Sequence, residues 1–109
     1  MVSVVIVDSD INEANEIENI IRHIAAVRFD NEWKIKKIKS CDDFEKLIEN
    51  RHIIDILVFE VEGKMEYLAR YRSECSKAIL MLLASDKTSP MYYLMPGIKA
   101  DSLVVRPCE

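Results

Sequence analysis

The sequence predicts an α/β fold, a doubly wound five-stranded parallel sheet with helices on both faces. Three observations carry that prediction. Short runs that are apolar on both sides of a pleat alternate with amphipathic stretches, in the order β-α-β-α-β-α-β-α-β. Polar residues gather where the strands end: Asp8, Ser9 and Asp10, then Glu60 and Glu62, then Ser85 and Asp86, then Arg106. With 2 glycines, 3 prolines, no internal repeat and no low-complexity tract, residues 1–109 read as one compact domain.

Each element has its own warrant. Val2 to Val7 is rich in β-branched residues and apolar on both faces, as a central, doubly covered strand is. Asp10 with Glu13 has the spacing of a capping box. Ile11, Ala14, Ile17, Ile21 and Ile24 then recur at helical spacing. Trp33 to Lys39 alternates, with Lys34 and Lys36 opposite Trp33 and Ile35. Lysines of this kind discourage pairing at a sheet edge. Ser40 with Asp43 starts a second helix whose inner face is Cys41, Phe44, Leu47 and Ile48. Ile56 to Phe59 is a buried strand ending at Glu60. Lys64 to Ser73 is a helix with Met65, Leu68 and Tyr71 available for packing. Ala78 to Ala84 is a fourth strand, and Ser102 to Val105 a fifth. Between them, Ser89-Pro90 opens a short helix that Pro96-Gly97 ends after one to two turns.

Composition excludes several functions. The chain carries 19 acidic and 15 basic residues, a formal charge of −4. Phosphate neutralisation dominates nucleic-acid affinity, so direct nucleic-acid binding by this domain is not expected. The longest apolar run, Ala78 to Ala84, falls far short of the roughly 20 residues of a membrane span. The first residues lack a basic leader, and Cys41, Cys75 and Cys108 have neither even count nor metal-ligand spacing. Reduced thiols and a cytoplasmic location are therefore expected. A nucleotide-binding or flavodoxin-like enzyme would need a phosphate-cradling glycine loop. Gly63 and Gly97 are the only glycines, and neither stands in such a loop.

Three segments carry a resemblance. Val4-Val5-Ile6-Val7-Asp8-Ser9-Asp10 resembles the first strand and acidic cluster of response-regulator receiver domains. Asp55-Ile56-Leu57-Val58-Phe59-Glu60 resembles their third strand, which ends in the phosphoacceptor aspartate. Lys99-Ala100-Asp101-Ser102-Leu103-Val104-Val105-Arg106-Pro107 resembles their closing lysine–proline corner. The resemblance spans the whole chain and implies a flavodoxin-like sheet in order 2-1-3-4-5 with the final helix missing. It also implies two-component signalling and transcriptional control in a bacterial cell. The long second strand and the Ser40-Cys41-Asp42-Asp43-Phe44 helix start look most like regulators with a LytTR-type output. No DNA-binding output domain of that kind is expected within residues 1–109.

Receivers of this family move a phosphoryl group onto their own aspartate. They use a metal held by acidic residues, a lysine and a hydroxyl. Here the parts are altered almost one by one. Asp8 keeps the first acidic position, but Ser9 stands where a second acidic residue binds metal. Glu60 replaces the phosphoacceptor. Leu83 falls where Thr or Ser is usual, although a slip in the alignment brings in Ser85. Arg106 replaces the lysine, and Leu103 the aromatic residue that reports phosphorylation. Glu extends its carboxylate one bond farther than Asp, and a misplacement on the order of 1 Å can cost about 100-fold. The expectation is a degenerate, pseudo-receiver pocket that needs no cofactor. The alternative is residual Mg2+ at Asp8 and Glu60 in a receiver that is still phosphorylatable. Glu60 reads either as an imitation of phospho-aspartate or as a drifted residue solvated at the rim. Arg106 reads as an anion site or, preferably, as an internal salt bridge to Asp8 or Glu60. Met91, Tyr92, Tyr93, Leu94 and Met95, with Leu103, form a candidate surface for a protein partner or second copy, against the alternative of ordinary helix packing.

Overall fold

The computed structural model describes residues 2–28, 32–61, 65–75, 77–84, 98 and 100–105. The chain runs β1 (Val2–Val7), α1 (Ile11–Arg28), β2 (Trp33–Ile38), α2 (Cys41–Glu49), β3 (Ile56–Glu60), α3 (Met65–Tyr71), a 3-10 turn (Arg72–Cys75), β4 (Ile79–Ala84) and β5 (Ser102–Val105). All four strand pairs are parallel, in the order β2-β1-β3-β4-β5. Fold and strand order are those the sequence predicts. The short helix expected between Pro90 and Pro96, the surface Met91 to Met95, and the segment at Arg106 where a final helix was expected to be missing all lie outside the described residues.

The pleat sorts the core into two layers. Val5, Val7, Leu57, Phe59, Leu80 and Leu82 face α2 and α3, where Phe44, Leu47, Ile48 and Leu68 cover them. Phe44 meets Phe59 edge to face at 5.3 Å. Val4, Ile6, Val58 and Leu83 face α1, covered by Ala14 and the half-buried Ile17 and Ile21. Along α1 the buried stripe reaches Ala25, while Ile11 and Ile24 of the expected face stay 40% and 44% exposed. A step of four residues from Ile21 keeps pace with the helical period better than a step of three, so Ala25 takes the inner place.

Local chemistry fixes the elements. Ser40 Oγ accepts from Asp43 N–H at 3.2 Å, starting α2 where expected. Asp10 Oδ1 accepts from the N–H groups of Asn12 and Glu13. The reciprocal half of the capping box does not form, because Asp10 N–H donates to Asp8 Oδ1 instead. At the edge, β2 exposes Lys34 and Lys36, while Lys37 reaches Glu18 on α1 at 2.7 Å. Two aspartates extend the sheet beyond its strands. Asp55 Oδ2 accepts from Ser3 N–H and Asp101 Oδ2 from Leu80 N–H, each at 2.7 Å.

One buried cation holds the far side together. Arg72 is 4% exposed, and its guanidinium donates to the carbonyls of Ile98, Cys75 and Ala78 at 2.7, 2.7 and 3.2 Å. The helix expected to run to Ser73 tightens at Tyr71 into the 3-10 turn that aims this side chain inward. Beside it, burial pushes the Cys75 thiol up, away from the reactive thiolate. Among the described residues, no helix is long and apolar enough to cross a membrane.

Candidate functional site

The parallel register builds the site. Val7 pairs with Phe59 and Glu60 with Leu83, which in turn pairs with Val104. Asp8, one residue beyond Val7, therefore begins a row that crosses the C-terminal edge of the sheet through Glu60 and Leu83 on the face covered by α1. Asp8 is 1% exposed, Glu60 6% and Leu83 3%. Glu60 is thus buried, and the reading of a carboxylate solvated at the rim is corrected.

Ser9, itself exposed, hydrogen-bonds to Glu60. Its hydroxyl donates to Glu60 Oε1 at 3.0 Å, and its N–H approaches Oε2 at 3.3 Å. Ser9, expected from the sequence in the place of a metal-binding acid, is thus a donor to Glu60, expected in the place of the phosphoacceptor. Leu83 packs its side chain into the layer with Val4, Ile6, Ala14 and Val58, so the row offers an apolar group at this position. Ser85 and Arg106 lie outside the described residues, and with them the expected salt bridge.

The sequence reading missed Glu13. Its carboxyl, half-buried on the first turn of α1, joins those of Asp8 and Glu60, one oxygen from each lying within 4.8 Å of the others. Spacing assigned Glu13 to a helix cap. Asp10 N–H is taken by Asp8, and the Glu13 carboxyl lies with Asp8 and Glu60 instead. Burial, above all, pushes the Asp8 carboxyl up to about 8. Hydrogen bonds with Glu13 and Glu60 act in the same direction, against the Asp10 N–H. As a bare carboxylate, Asp8 Oδ2 is buried with no donor among the described residues. With a proton it becomes a donor to its carboxyl neighbours, and at neutral pH Asp8 keeps that proton. The same three hard oxygens, one of them buried and without a donor, also fit a divalent cation. Asp8, Glu13 and Glu60 would hold it, and it would supply charge neutralisation at Glu60.

Asp10, the other acidic candidate, is exposed and occupied as the α1 cap. Of the candidate partner surface, only Leu103 is described, and it is 38% exposed.

No protein-family model matches the chain, and no curated protein matches it significantly. Solved structures do resemble it. The response regulator receiver protein from Burkholderia phymatum superposes with a TM-score of 0.74 at 14% identity, over 100% of this chain and 86% of that one. A response regulator receiver domain protein from Clostridium thermocellum gives 0.75 at 12% identity, over 100% and 85%. A response regulator from Burkholderia pseudomallei, solved with a phosphorylated aspartic acid, a calcium ion and citrate, gives 0.73 at 13% identity, over 100% and 62%. At such identities the likeness is one of fold: this chain has the flavodoxin-like architecture of receiver domains, with a pocket whose chemistry must be read from its own residues.

Proposed function

We propose that residues 1–109 form an atypical receiver-type domain that acts in bacterial signalling or transcriptional control through protein contacts, without aspartyl phosphorylation. One observation carries this reading: Ser9 donates to both oxygens of Glu60, the residue in the acceptor position. The nucleophile is engaged and buried, and Leu83 supplies no hydroxyl to the phosphoryl oxygens. Each loss removes electrostatic stabilisation on the order of a few kcal/mol from a transfer reaction. No catalytic turnover is assigned to the domain. Its partner is a protein or a second copy, and any DNA contact belongs to an output domain. The test is incubation with acetyl phosphate and millimolar Mg2+, followed by intact mass. The expected result is no gain of a phosphoryl group.

A second reading is favoured by the Asp8, Glu13 and Glu60 trio. With a divalent cation drawing these carboxylates together, Glu60 would be the acceptor in a rearranged but working receiver. Phosphoryl gain that requires Mg2+ and disappears in Glu60→Gln decides for this alternative.

A further inference from the structure

At the opposite edge of the sheet, away from Asp8 and Glu60, the α2–β3 connection and the turn before β4 enclose an open cavity of about 500 Å3. This lies within the volume range of small-molecule sites, roughly 300–1,000 Å3. Its walls are of two kinds. Ile48 and Ile54 are buried aliphatic surface, and Ile53 stands 76% exposed, more than any other large apolar side chain described. Around them stand Arg51, His52 and Lys77, with Glu74 as the one carboxylate. Two permanent cations against one anion make a locally positive opening on a chain whose net charge is −4. Among the described residues, neither Arg51 nor Lys77 enters an ion pair.

The backbone gives a second, independent observation. Arg51 has φ 55°, the only positive φ outside glycine among the described residues. It sits just past α2, where Arg51 N–H donates to Ile48 O and His52 N–H to Leu47 O, both at 3.0 Å. This is the helix ending in which glycine is usual, because a Cβ there is strained. The chain accepts that strain and so places a guanidinium at the cavity. The same bonds satisfy the carbonyls of Leu47 and Ile48 at the helix end. A non-glycine residue held in this region is a reason to look for function at its side chain.

We propose that this cavity binds a small amphiphilic anion, with a carboxylate or phosphate monoester between Arg51 and Lys77 and an aliphatic body along Ile53 and Ile54. The proposal does not depend on the reading of the acidic pocket. The test is a 1H–15N NMR titration of the intact chain with four probes: sodium n-octanoate, n-octyl phosphate, inorganic phosphate and n-octanol. The expected result is saturable shifts confined to residues 48–54 and 74–78 with one or both amphiphilic anions, and much weaker ones with phosphate or octanol. Preference between the two anions identifies the headgroup. The decisive variant is Arg51→Gly. It relieves the strained position, so its unfolding midpoint should equal or exceed that of the parent, while its affinity falls at least tenfold. Lys77→Ala should weaken binding similarly. Absence of saturable shifts with both anions, equal binding of octanol, shifts centred elsewhere, or unchanged affinity in a folded Arg51→Gly overturns the proposal.

Discussion

Of the buried charge-bearing side chains described, Arg72 and Asp8 are treated in opposite ways. Arg72, 4% exposed, spends its donors on three carbonyls that join the 3-10 turn, the start of β4 and Ile98. Asp8, 1% exposed, is given the Asp10 N–H for one oxygen and carboxyl neighbours for the other. A buried charge surrounded by opposite dipoles holds a fold together. One placed among like groups must take a proton or a cation, and so remains open to change.

The largest effect should come from the satisfied partner. Arg72→Met leaves buried carbonyls without donors and should cost about 3–5 kcal/mol in urea unfolding. A variant as stable as the parent would erase the contrast. Asp8→Asn should act in the opposite direction. The amide keeps a donor toward Glu13 and Glu60 and carries no charge, so stability at pH 8 should rise by about 1–3 kcal/mol. Destabilisation there would mean that Asp8 is better paired than its surroundings indicate.

The parent chain should show the same physics as a pH dependence. The folded state keeps a proton on Asp8 up to about 8, whereas the unfolded chain releases it near 3.8. This stabilisation is complete below the unfolded value and is lost as pH rises through the folded one. The slope should be negative between them, at up to about 1.4 kcal/mol per pH unit from this group, and should flatten in Asp8→Asn. Urea unfolding at intervals from pH 5 to pH 9 reads it directly. Ser9→Ala, which removes the hydroxyl from Glu60, should cost about 1 kcal/mol in the same assay. Lys37→Ala, which breaks the surface contact with Glu18, should cost only a few tenths of a kcal/mol, and less in high salt.

The strands were legible because their signal is local. Val4 to Val7, Leu57 to Phe59 and Leu80 to Leu82 are apolar on both faces, and only a sheet covered on both sides uses such runs. The Ser40 cap and the Phe44, Leu47 and Ile48 stripe were legible for the same reason. The order of the strands came from the resemblance and is what the structure shows. The site was legible only as positions. Asp8, Ser9 and Glu60 were read as the parts of a pocket, but the hydroxyl that donates to Glu60 lies 51 residues away in sequence. Neither periodicity nor spacing reports that the exposed Ser9 also reaches a carboxylate. Glu13 was hidden by its cap spacing. Arg72 was hidden inside an ordinary helical pattern, because the turn that buries it tightens only after Tyr71.

The two aspartates that extend the sheet have a consequence for how the chain finds its pairing. Neighbouring parallel strands offer evenly spaced bonds, so a slip of two residues keeps every side chain on its proper face and leaves the backbone almost as well bonded. Asp55 and Asp101 make such slips unequal. Each adds a side-chain acceptor at one position only, Ser3 N–H for the first and Leu80 N–H for the second. They act as pegs at one end of the ladder. Four residues farther along β1, the peg at Ser3 determines that Val7 stands beside Phe59, and hence that Asp8 arrives at Glu60. The alignment of the acidic pocket is thus set from the opposite edge of the sheet, by a contact that touches none of its members.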